Sequence, residues 1–361
     1  MASNSFGELL RFTSFGESHG TAMGGVIDGF PPGISIDLGF IQHELNRRRP
    51  GQSAIVTPRN ESDSIEILSG VFEGKSTGTP IAFIVRNKDQ RSKDYGNIAN
   101  VYRPSHADFT YHKKYGIADY RGGGRSSARE TLVRVACGAF AKLLLDIAGI
   151  NVLAFTKSVG EIEMPDAGKK LSIELIESNP VRCPHQNTAR QIEKMLEQLA
   201  AEGDSIGGVV ECVISGVPVG LGEPVYGKLS AALAIAMMGI NASKGFEIGS
   251  GFQGVKSYGS EQNDSFIVEN GGVKTKTNNS GGIQGGISNG ADIVIRVAFK
   301  SPASISKIQK SVDKTGKAVD LSVSGRHDPC VVPRAVPVVE AMAAFVIADH
   351  YLRNEVYSKF K

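Results

Sequence analysis

The octapeptide Val26-Ile-Asp-Gly-Phe-Pro-Pro-Gly33 returns as Val213-Ile-Ser-Gly-Val-Pro-Val-Gly220, and both read VIxGxPxG. Each follows a run of strand character and precedes helical spacing after a short gap. Gly admits left-handed backbone and Pro fixes φ, so such a segment turns the chain at a defined point. Chance can repeat one octapeptide, whereas the matching flanks favour duplicated halves, about residues 1–150 and 151–361. No Pro/Ser-rich linker parts them. The expectation is one domain over 1–361 with interleaved halves.

Strand-like and helix-like runs alternate along the chain. Glu8–Thr13 and Gly24–Asp28 read as strands, the second ending in the turn 29–33. Leu38–Arg48 has helical spacing and stops at Pro50-Gly51. Ser64–Val71 and Ile81–Asn87 suggest an antiparallel pair. Residues 88–124 show little periodicity, which over that length points to function or motion. Ser127-Ala-Arg-Glu130 fits a capping box opening a helix that ends near Gly149. Thr188–Ala201 reads as a second helix. Lys228–Met238 reads as a third, so apolar that it must be covered on every side. Residues 245–290 are glycine-rich and loop-like, with a hairpin near Asn270-Gly271. Asp292–Phe299 reads as a strand, and Val336–Val356 as an amphipathic helix with Pro337 in its first turn.

Glycine supplies 43 of the 361 residues, against a usual share of about 7%. No collagen period accompanies it, so a fibre is excluded. A hydrophobic share of 41% is enough for a core and excludes disorder as the main state. Net charge is 40 − 37 = +3, too small by itself to imply nucleic acid or membrane. Cys137, Cys183, Cys212 and Cys330 form no CxxC pair, so neither a disulfide framework nor a zinc site is expected. No signal-peptide core is seen, and no apolar run approaches the roughly 20 residues of a membrane helix. The expected compartment is the cytoplasm.

Reactive side chains gather in Gly16-Glu-Ser-His-Gly20, Arg103-Pro-Ser-His-Ala-Asp108, Arg121-Gly-Gly-Gly-Arg-Ser-Ser-Ala-Arg-Glu130 and Gly325-Arg-His-Asp-Pro-Cys330. A fifth, purely basic patch is Arg47-Arg-Arg-Pro-Gly51. A triple-glycine turn entering a capped helix offers free N–H groups at the positive end of the dipole, and Arg125 and Arg129 add full charges. It reads as an anion site, or as an ordinary turn with a capping serine. The GK[ST] ending of a P-loop is absent. His19 and His106 lie in turns, where an imidazole near pKa 6.5 suits acid–base work, though either alone is as well explained as a structural residue. His43, His112, His185 and His350 lack such settings and read as structural. Asp328, restrained by Pro329, serves either chemistry or a turn. Gly249-Ser-Gly-Phe-Gln-Gly254 matches GxGxxG, but no helix pattern follows, which argues against a dinucleotide fold there. The basic patch reads as a solvated helix end or a polyanion clamp.

Nine segments, taken in order, resemble the chorismate synthases over nearly the whole chain. They are GESHG at 16–20, NRRRPG at 46–51, DQRSKDY at 89–95, YRPSHADFTY at 102–111, DYRGGGRSSARET at 119–131, GDSIGG at 203–208, INASKG at 240–245, GGIQGGISNG at 281–290 and GRHDPC at 325–330. The resemblance implies an α+β fold, a layered β-α-β sandwich with helices packed between antiparallel sheets, an internal duplication, and a homotetramer. It implies a carbon–oxygen lyase of the shikimate pathway to aromatic amino acids. The reaction would be anti-1,4-elimination of phosphate and a C6 proton from 5-enolpyruvylshikimate-3-phosphate, giving chorismate. Reduced FMN is the implied cofactor, although the reaction is redox neutral. NADPH would serve only indirectly, through an external flavin reductase. No metal, nucleic acid or membrane is expected.

By the same resemblance Arg48, Arg129 and Arg326 meet the substrate's anionic groups, with Ser18 and Ser127 hydrogen-bonding nearby. His19 would assist the leaving phosphate, and His106 would protonate reduced flavin or hold its charge. Asp328 would act with flavin N5 in removing the C6 proton. The flavin would rest on Arg125, Ser126, Ser127, Asn241, Ala242, Gly285, Lys300, Ser301, Pro302, Ala303, Ser304 and Arg326. Two positions depart from the pattern: Ala54 stands where many relatives carry arginine, and Lys300-Ser-Pro-Ala-Ser304 replaces a usual lysine-proline-threonine followed by serines. A bifunctional form that reduces flavin with NADPH is disfavoured by the compact chain and by Ala54. A phosphate-binding or nucleic-acid-binding protein without turnover is the reading from another class, and little interleaved aromatic surface supports it.

Overall fold

The computed structural model describes residues 3–49, 63–87, 100–117, 123–165, 171–323, 328–358 and 360. Ala54, Arg326, the 89–95 motif, Pro50-Gly51 and Gly122 lie outside the described residues. Two five-stranded antiparallel sheets carry the fold. The first holds β1 (Ser5–Phe6), β2 (Arg11–Gly16), β3 (Ala22–Asp28), β4 (Ile65–Ile67) and β5 (Ile81–Arg86), in the order β1-β2-β3-β5-β4. The second holds β6 (Asn151–Val159), β7 (Ile162–Glu163), β8 (Gly208–Ser215), β9 (Ser243–Ile248) and β10 (Ile293–Phe299), in the order β9-β10-β8-β6-β7. The helices used below are α1 (Leu38–Arg48), α2 (Asp108–Tyr115), α3 (Thr131–Ile147), α4 (Gln186–Glu202), α5 (Leu229–Met238) and α6 (Val332–Ser358).

Alternation along the strands sets the layers. β10 buries Ile293, Ile295, Val297 and Phe299, and β8 buries Val210, Cys212 and Ile214. Against these inner faces lie α3 and α6. Helix α3 packs on β2 and β3 of one sheet and on β6 of the other, while α6 covers β6 and β8. Phe345 of α6 also reaches the first sheet, meeting Phe12 edge-on with centroids 4.9 Å apart. Burying one such ring stabilises by roughly 1.5–3 kcal/mol. At Gly138, α3 lies so close to Ala341 of α6 that a Cβ has no room. Helices between antiparallel sheets are the expected α+β layering.

Helix α6 departs from its expectation. It starts at Val332, keeps Pro337 in its second turn, and is buried on all sides from Ala335 to His350. It is therefore not amphipathic. By length and composition it could cross a membrane, contrary to the expectation that no run approaches that size, but its most apolar window is 89% buried against the two sheets. Helix α5 errs the other way. Leu229, Leu233, Ala236 and Met237 are buried, yet Ile235 is 66% exposed and Met238 47% exposed. One apolar face is left uncovered by the chain itself.

Smaller differences have local causes. The first long strand is Arg11–Gly16 rather than Glu8–Thr13, because Asp349 of α6 accepts from the amides of Leu9 (2.9 Å) and Leu10 (2.8 Å) and bends the chain there. Ser127 Oγ accepts from Arg129 N at 3.4 Å, and Glu130 pairs forward with Arg134 at 2.7 Å instead of closing a capping box. A 3-10 turn, Ala128–Glu130, results, and α3 begins at Thr131. Helix α2 arises inside the stretch that lacks periodicity, and β9 runs into the start of the one read as loop-like. Helix α1 runs as expected, with Asp37 Oδ1 accepting from Phe40 N at 3.0 Å. The hairpin Phe266–Glu269 to Gly272–Thr275 turns through Asn270 (φ 51°) and Gly271 (φ 77°).

The two VIxGxPxG segments leave β3 and β8, the middle strand of each sheet. Gly29 (φ 77°) and Gly33 (φ 82°) correspond to Gly216 (φ 77°) and Gly220 (φ 116°). A Cβ at Gly29 would strike the Leu9 carbonyl oxygen, and one at Gly216 the Gly149 carbonyl oxygen. Those carbonyls precede β2 and β6, the strands paired with β3 and β8.

Candidate active site

The last turn of α1 sends two adjacent arginines in different directions. Arg47 enters a buried cluster with Glu44 (3.0 Å), Glu177 (2.8 Å) and Glu340 (2.5 Å), and Lys142 reaches Glu44 (2.5 Å) and Glu340 (2.8 Å). Arg182 pairs with Glu177 at 3.0 Å. Among the described residues three cations meet three anions, so their charges balance. Burial would lower the Arg47 pKa, but Glu340 and its companions outweigh it and raise the value. This cluster ties α1, α3 and α6 together.

Arg48 faces a different environment. It is 2% exposed and pairs with Asp63 at 2.5 Å, and Asp63 also meets Arg129 at 3.0 Å as an ion pair without well-aligned hydrogen-bond geometry. Arg334, in the first turn of α6, pairs with Asp328. Burial lowers the Arg48 pKa, Asp63 opposes that, and the positive charges of Arg334 and Arg129 add to the lowering. Among the described residues Arg48, Arg129 and Arg334 face Asp63 and Asp328, three cations against two anions. Arg48 Nε and Arg334 Nε are buried without an acceptor. Buried donors in excess, under net positive charge, suit a site that takes an anion.

Asn87, at the end of β5, connects this cluster to the Gly16–Gly20 turn. Its Nδ2 donates to the carbonyls of Glu17 (3.0 Å) and Gly20 (2.8 Å), and its Oδ1 accepts from Arg129 Nε (2.7 Å). Within that turn Ser18 Oγ lies 3.1 Å from His19 Nδ1, and both side chains are buried. Arg125 crosses behind it, donating to Ser14 Oγ (2.6 Å) and the Gly16 carbonyl (3.2 Å).

A second lobe gathers around His106. Its Nδ1 is 2.7 Å from Asp108 Oδ1, and Arg103 holds the same carboxylate at 2.7 Å. Burial would raise the Asp108 pKa, but the hydrogen bonds from Arg103 and His106 outweigh it and hold the carboxyl well below the usual range. His106 lies beside Gly123, and the Ser126 carbonyl accepts from Asn241 Nδ2 at 3.1 Å. Lys300 N donates to the Ala242 carbonyl (3.0 Å), and Lys300 Nζ donates to the Ser105 carbonyl (3.0 Å). Burial, with Lys244 nearby, lowers the Lys300 pKa. Ser304 Oγ accepts from Arg103 at 3.4 Å. Ser301, Pro302 and Ala303 line the same segment, where the Pro302 carbonyl accepts from Ser205 Oγ at 2.8 Å. The neighbouring Ile206 N donates to the Pro329 carbonyl at 2.9 Å, which joins this lobe to Asp328.

The structure thus links Ser18, His19, Arg48 and Arg129 through one network, with Asp328 and its partner Arg334 beside it, and His106, Ser126, Ser127, Asn241, Ala242 and the 300–304 segment through an adjoining one. Gly285 is not among them. It is the exposed tip of the hairpin Ile283–Gln284 to Ile287–Ser288, and the Gly286 carbonyl accepts from Leu229 N at the start of α5, whereas Asn241 follows the end of α5. A ten-residue helix, about 15 Å long, separates the two. A cavity of about 260 Å³ lined by Gly222, Glu223, His350, Arg353 and Tyr357 lies at that far end, away from His19 and His106.

A flavin fits the residues of the second lobe. Asn241 Oδ1 is a buried acceptor with no donor, Ala242 (φ 68°) and Ser105 (φ 57°) hold left-handed backbone, and the Gly123-Gly124 turn is bare main chain. Sequence reasoning overlooked Asp63, Asn87, Arg103, Asp108 and Arg334 as site residues. Arg103 and Asp108 flank His106 in one hexapeptide, a signal that was open to use. The other three meet the site only through folding.

A family model described as chorismate synthase matches residues 10–352. A chorismate synthase of Bacteroides fragilis is 60% identical over 353 residues, covering 98% of this chain and 99% of its own. One of Cytophaga hutchinsonii is 60% identical over 354 residues, covering 98% of each. A crystal structure of chorismate synthase superposes with a TM-score of 0.75 at 32% identity, covering 96% of this chain and 93% of that one. On the family match over nearly its whole length, and on those relatives, the chain belongs to the chorismate synthase family.

Proposed function

We propose that the chain converts 5-enolpyruvylshikimate-3-phosphate to chorismate by anti-1,4-elimination of phosphate and the C6 proton, as a carbon–oxygen lyase of aromatic amino-acid biosynthesis. The observation that carries this reading is the cationic surplus, among the described residues, around Arg48 and Arg129, joined through Asn87 to the His19 turn. Substrate with two carboxylates and a phosphate needs converging guanidinium groups. Arg48 and Arg129 bind and orient those anions, with Arg326 as a third by family resemblance. His19, with Ser18 at its Nδ1, faces the leaving phosphate and lends it a proton or positive charge. Asp328, held by Arg334, is the carboxylate for the C6 proton. His106 supplies a proton or charge beside the cofactor, its ring fixed by Asp108. Ser127 adds a hydroxyl between the two lobes.

Reduced FMN, when bound, supplies the electron density that eases phosphate departure. The residues that would hold it are Arg125, Ser126, Asn241, Ala242 and Lys300–Ser304. Gly285 belongs to that set only if a second copy presents it. A homotetramer in the cytoplasm is the proposed state, supported by the uncovered apolar face of α5 at Ile235 and Met238. The matched turns after β3 and β8 support an internal duplication. An external reductase supplies the flavin's electrons.

The test is phosphate release from the enolpyruvyl substrate under anaerobic conditions with dithionite-reduced FMN. Release that needs reduced flavin supports the reading, and release indifferent to flavin, or none, overturns it. Sustained aerobic NADPH oxidation by the pure protein with FMN would instead favour the bifunctional form.

A further inference from the structure

Asp63 has a part in the anion site that its neighbours' chemistry defines. Its side chain is fully buried and its carboxylate spans Arg48 and Arg129, the two arginines read above as substrate ligands. Its backbone φ is 40°, a left-handed value uncommon outside glycine, though Asp tolerates it better than most residues. Gln42 pins that backbone, donating from Nε2 to the Asp63 carbonyl at 3.2 Å and accepting from Ile65 N at 3.2 Å. The main chain is fixed, and the carboxylate is aimed between two guanidinium groups.

Arg47 shows what a purely structural arginine looks like in this fold. It donates from all three nitrogens to three carboxylates. Arg48 donates from Nη2 alone, to Asp63, and its Nε is buried without an acceptor. One carboxylate is therefore thinly shared by two cations, with Arg334 adding a third positive charge nearby. Such an arrangement lowers the repulsion among the arginines without saturating the donors of Arg48. An oxyanion entering the site would meet the same two forks that Asp63 already engages.

We propose that Asp63 is a place-holding counter-ion: its carboxylate occupies the space between Arg48 and Arg129 until an oxyanion of the substrate, phosphate or carboxylate, displaces it. The proposal rests on the reading of that pair as the substrate-anion site. A site that must first release its own carboxylate shows an affinity reduced by the fraction of time it is open. Removing the competing charge while keeping the shape then tightens anion binding, whereas loss of a merely structural ion pair would loosen it.

Calorimetric titration of the full-length protein with inorganic phosphate, and separately with acetate, reads this directly. Asp63→Asn is expected to bind phosphate about tenfold more tightly than wild type, Asp63→Glu not to tighten it, and Arg129→Gln to lose it. A larger gain for phosphate than for acetate identifies the phosphoryl group as the displacing one. Equal or weaker phosphate binding by Asp63→Asn, with wild type binding normally, overturns the place-holder. Failure of wild type and Asp63→Asn alike to bind either anion defeats the anion-site reading itself. Should Asp63→Asn not fold, wild-type crystals at saturating phosphate decide. Phosphate between the guanidinium groups with the carboxylate turned away supports the proposal, and an intact Asp63 bridge overturns it.

Discussion

Asn87 Oδ1 accepts from Arg129 Nε at 2.7 Å, and the same amide grips the turn that carries His19. One side chain thereby fixes the distance between an anion-binding arginine and the proposed acid. Asn87→Ala is expected to lower kcat/KM by roughly 10–100-fold, since misplacement of a positioned group costs rate of that order. Steady-state kinetics under reducing conditions, with circular dichroism to confirm folding, check it.

Two histidines are assigned to proton work. His19→Ala and His106→Ala should each reduce turnover by roughly 10–10⁴-fold with the fold intact. Full activity in both variants would return them to the class of structural turn residues.

Glu340 accepts from Arg47, Lys142 and the amide of Ala154, and is wholly buried. Glu340→Gln leaves two buried cations short of a partner and should cost about 3–5 kcal/mol in urea unfolding. Burial would raise its carboxyl, but Lys142 and Arg47 prevail and hold it at about 2. A depressed carboxyl stabilises above its unfolded pKa, so this contribution is full above about pH 5 and is lost as pH falls toward 2.

His350 sits 3% exposed on α6, its pKa pushed down to about 4 by burial and by Arg353. The unfolded ring takes up a proton first, near pH 6.5, so stability is lost as pH falls from 6.5 toward 4. The loss is up to about 3 kcal/mol. Urea midpoints measured between pH 7 and pH 5 should fall less in His350→Gln than in wild type.

Gly29→Ala and Gly216→Ala place a methyl group against equivalent carbonyl oxygens at left-handed φ. Both should lower stability by more than 1 kcal/mol, and by similar amounts. A large cost at one and none at the other would weaken the case for duplicated halves.

What the sequence disclosed was what is local. The helical spacing of Leu38–Arg48, the Asn270-Gly271 turn and the strand at Asp292–Phe299 are written in consecutive residues, and the fold contains all three. Asp63, Asn87 and Arg334 were passed over because each is an ordinary polar residue until the sheets bring it to an arginine or an aspartate far away in sequence. Burial misled at both ends. Helix α5 was expected to be covered and keeps a bare face. Helix α6 was expected to show a polar face and has none until past His350, because two sheets enclose it. Nine short segments disclosed the family, but not that Gly285 stands a helix length from Asn241.

The carboxylate of Asp349 bonds to the amides of Leu9 and Leu10, some 340 positions earlier in the chain. Both sheets rest on the helix that carries it. During synthesis at 5–20 residues per second the opening strands therefore wait roughly 20–70 s for the helix they fold against. In that interval α3 already covers part of β2 and β3, but the side that Phe345 and Asp349 close stays open. The first sheet is thus completed by a helix written at the opposite end of the sequence.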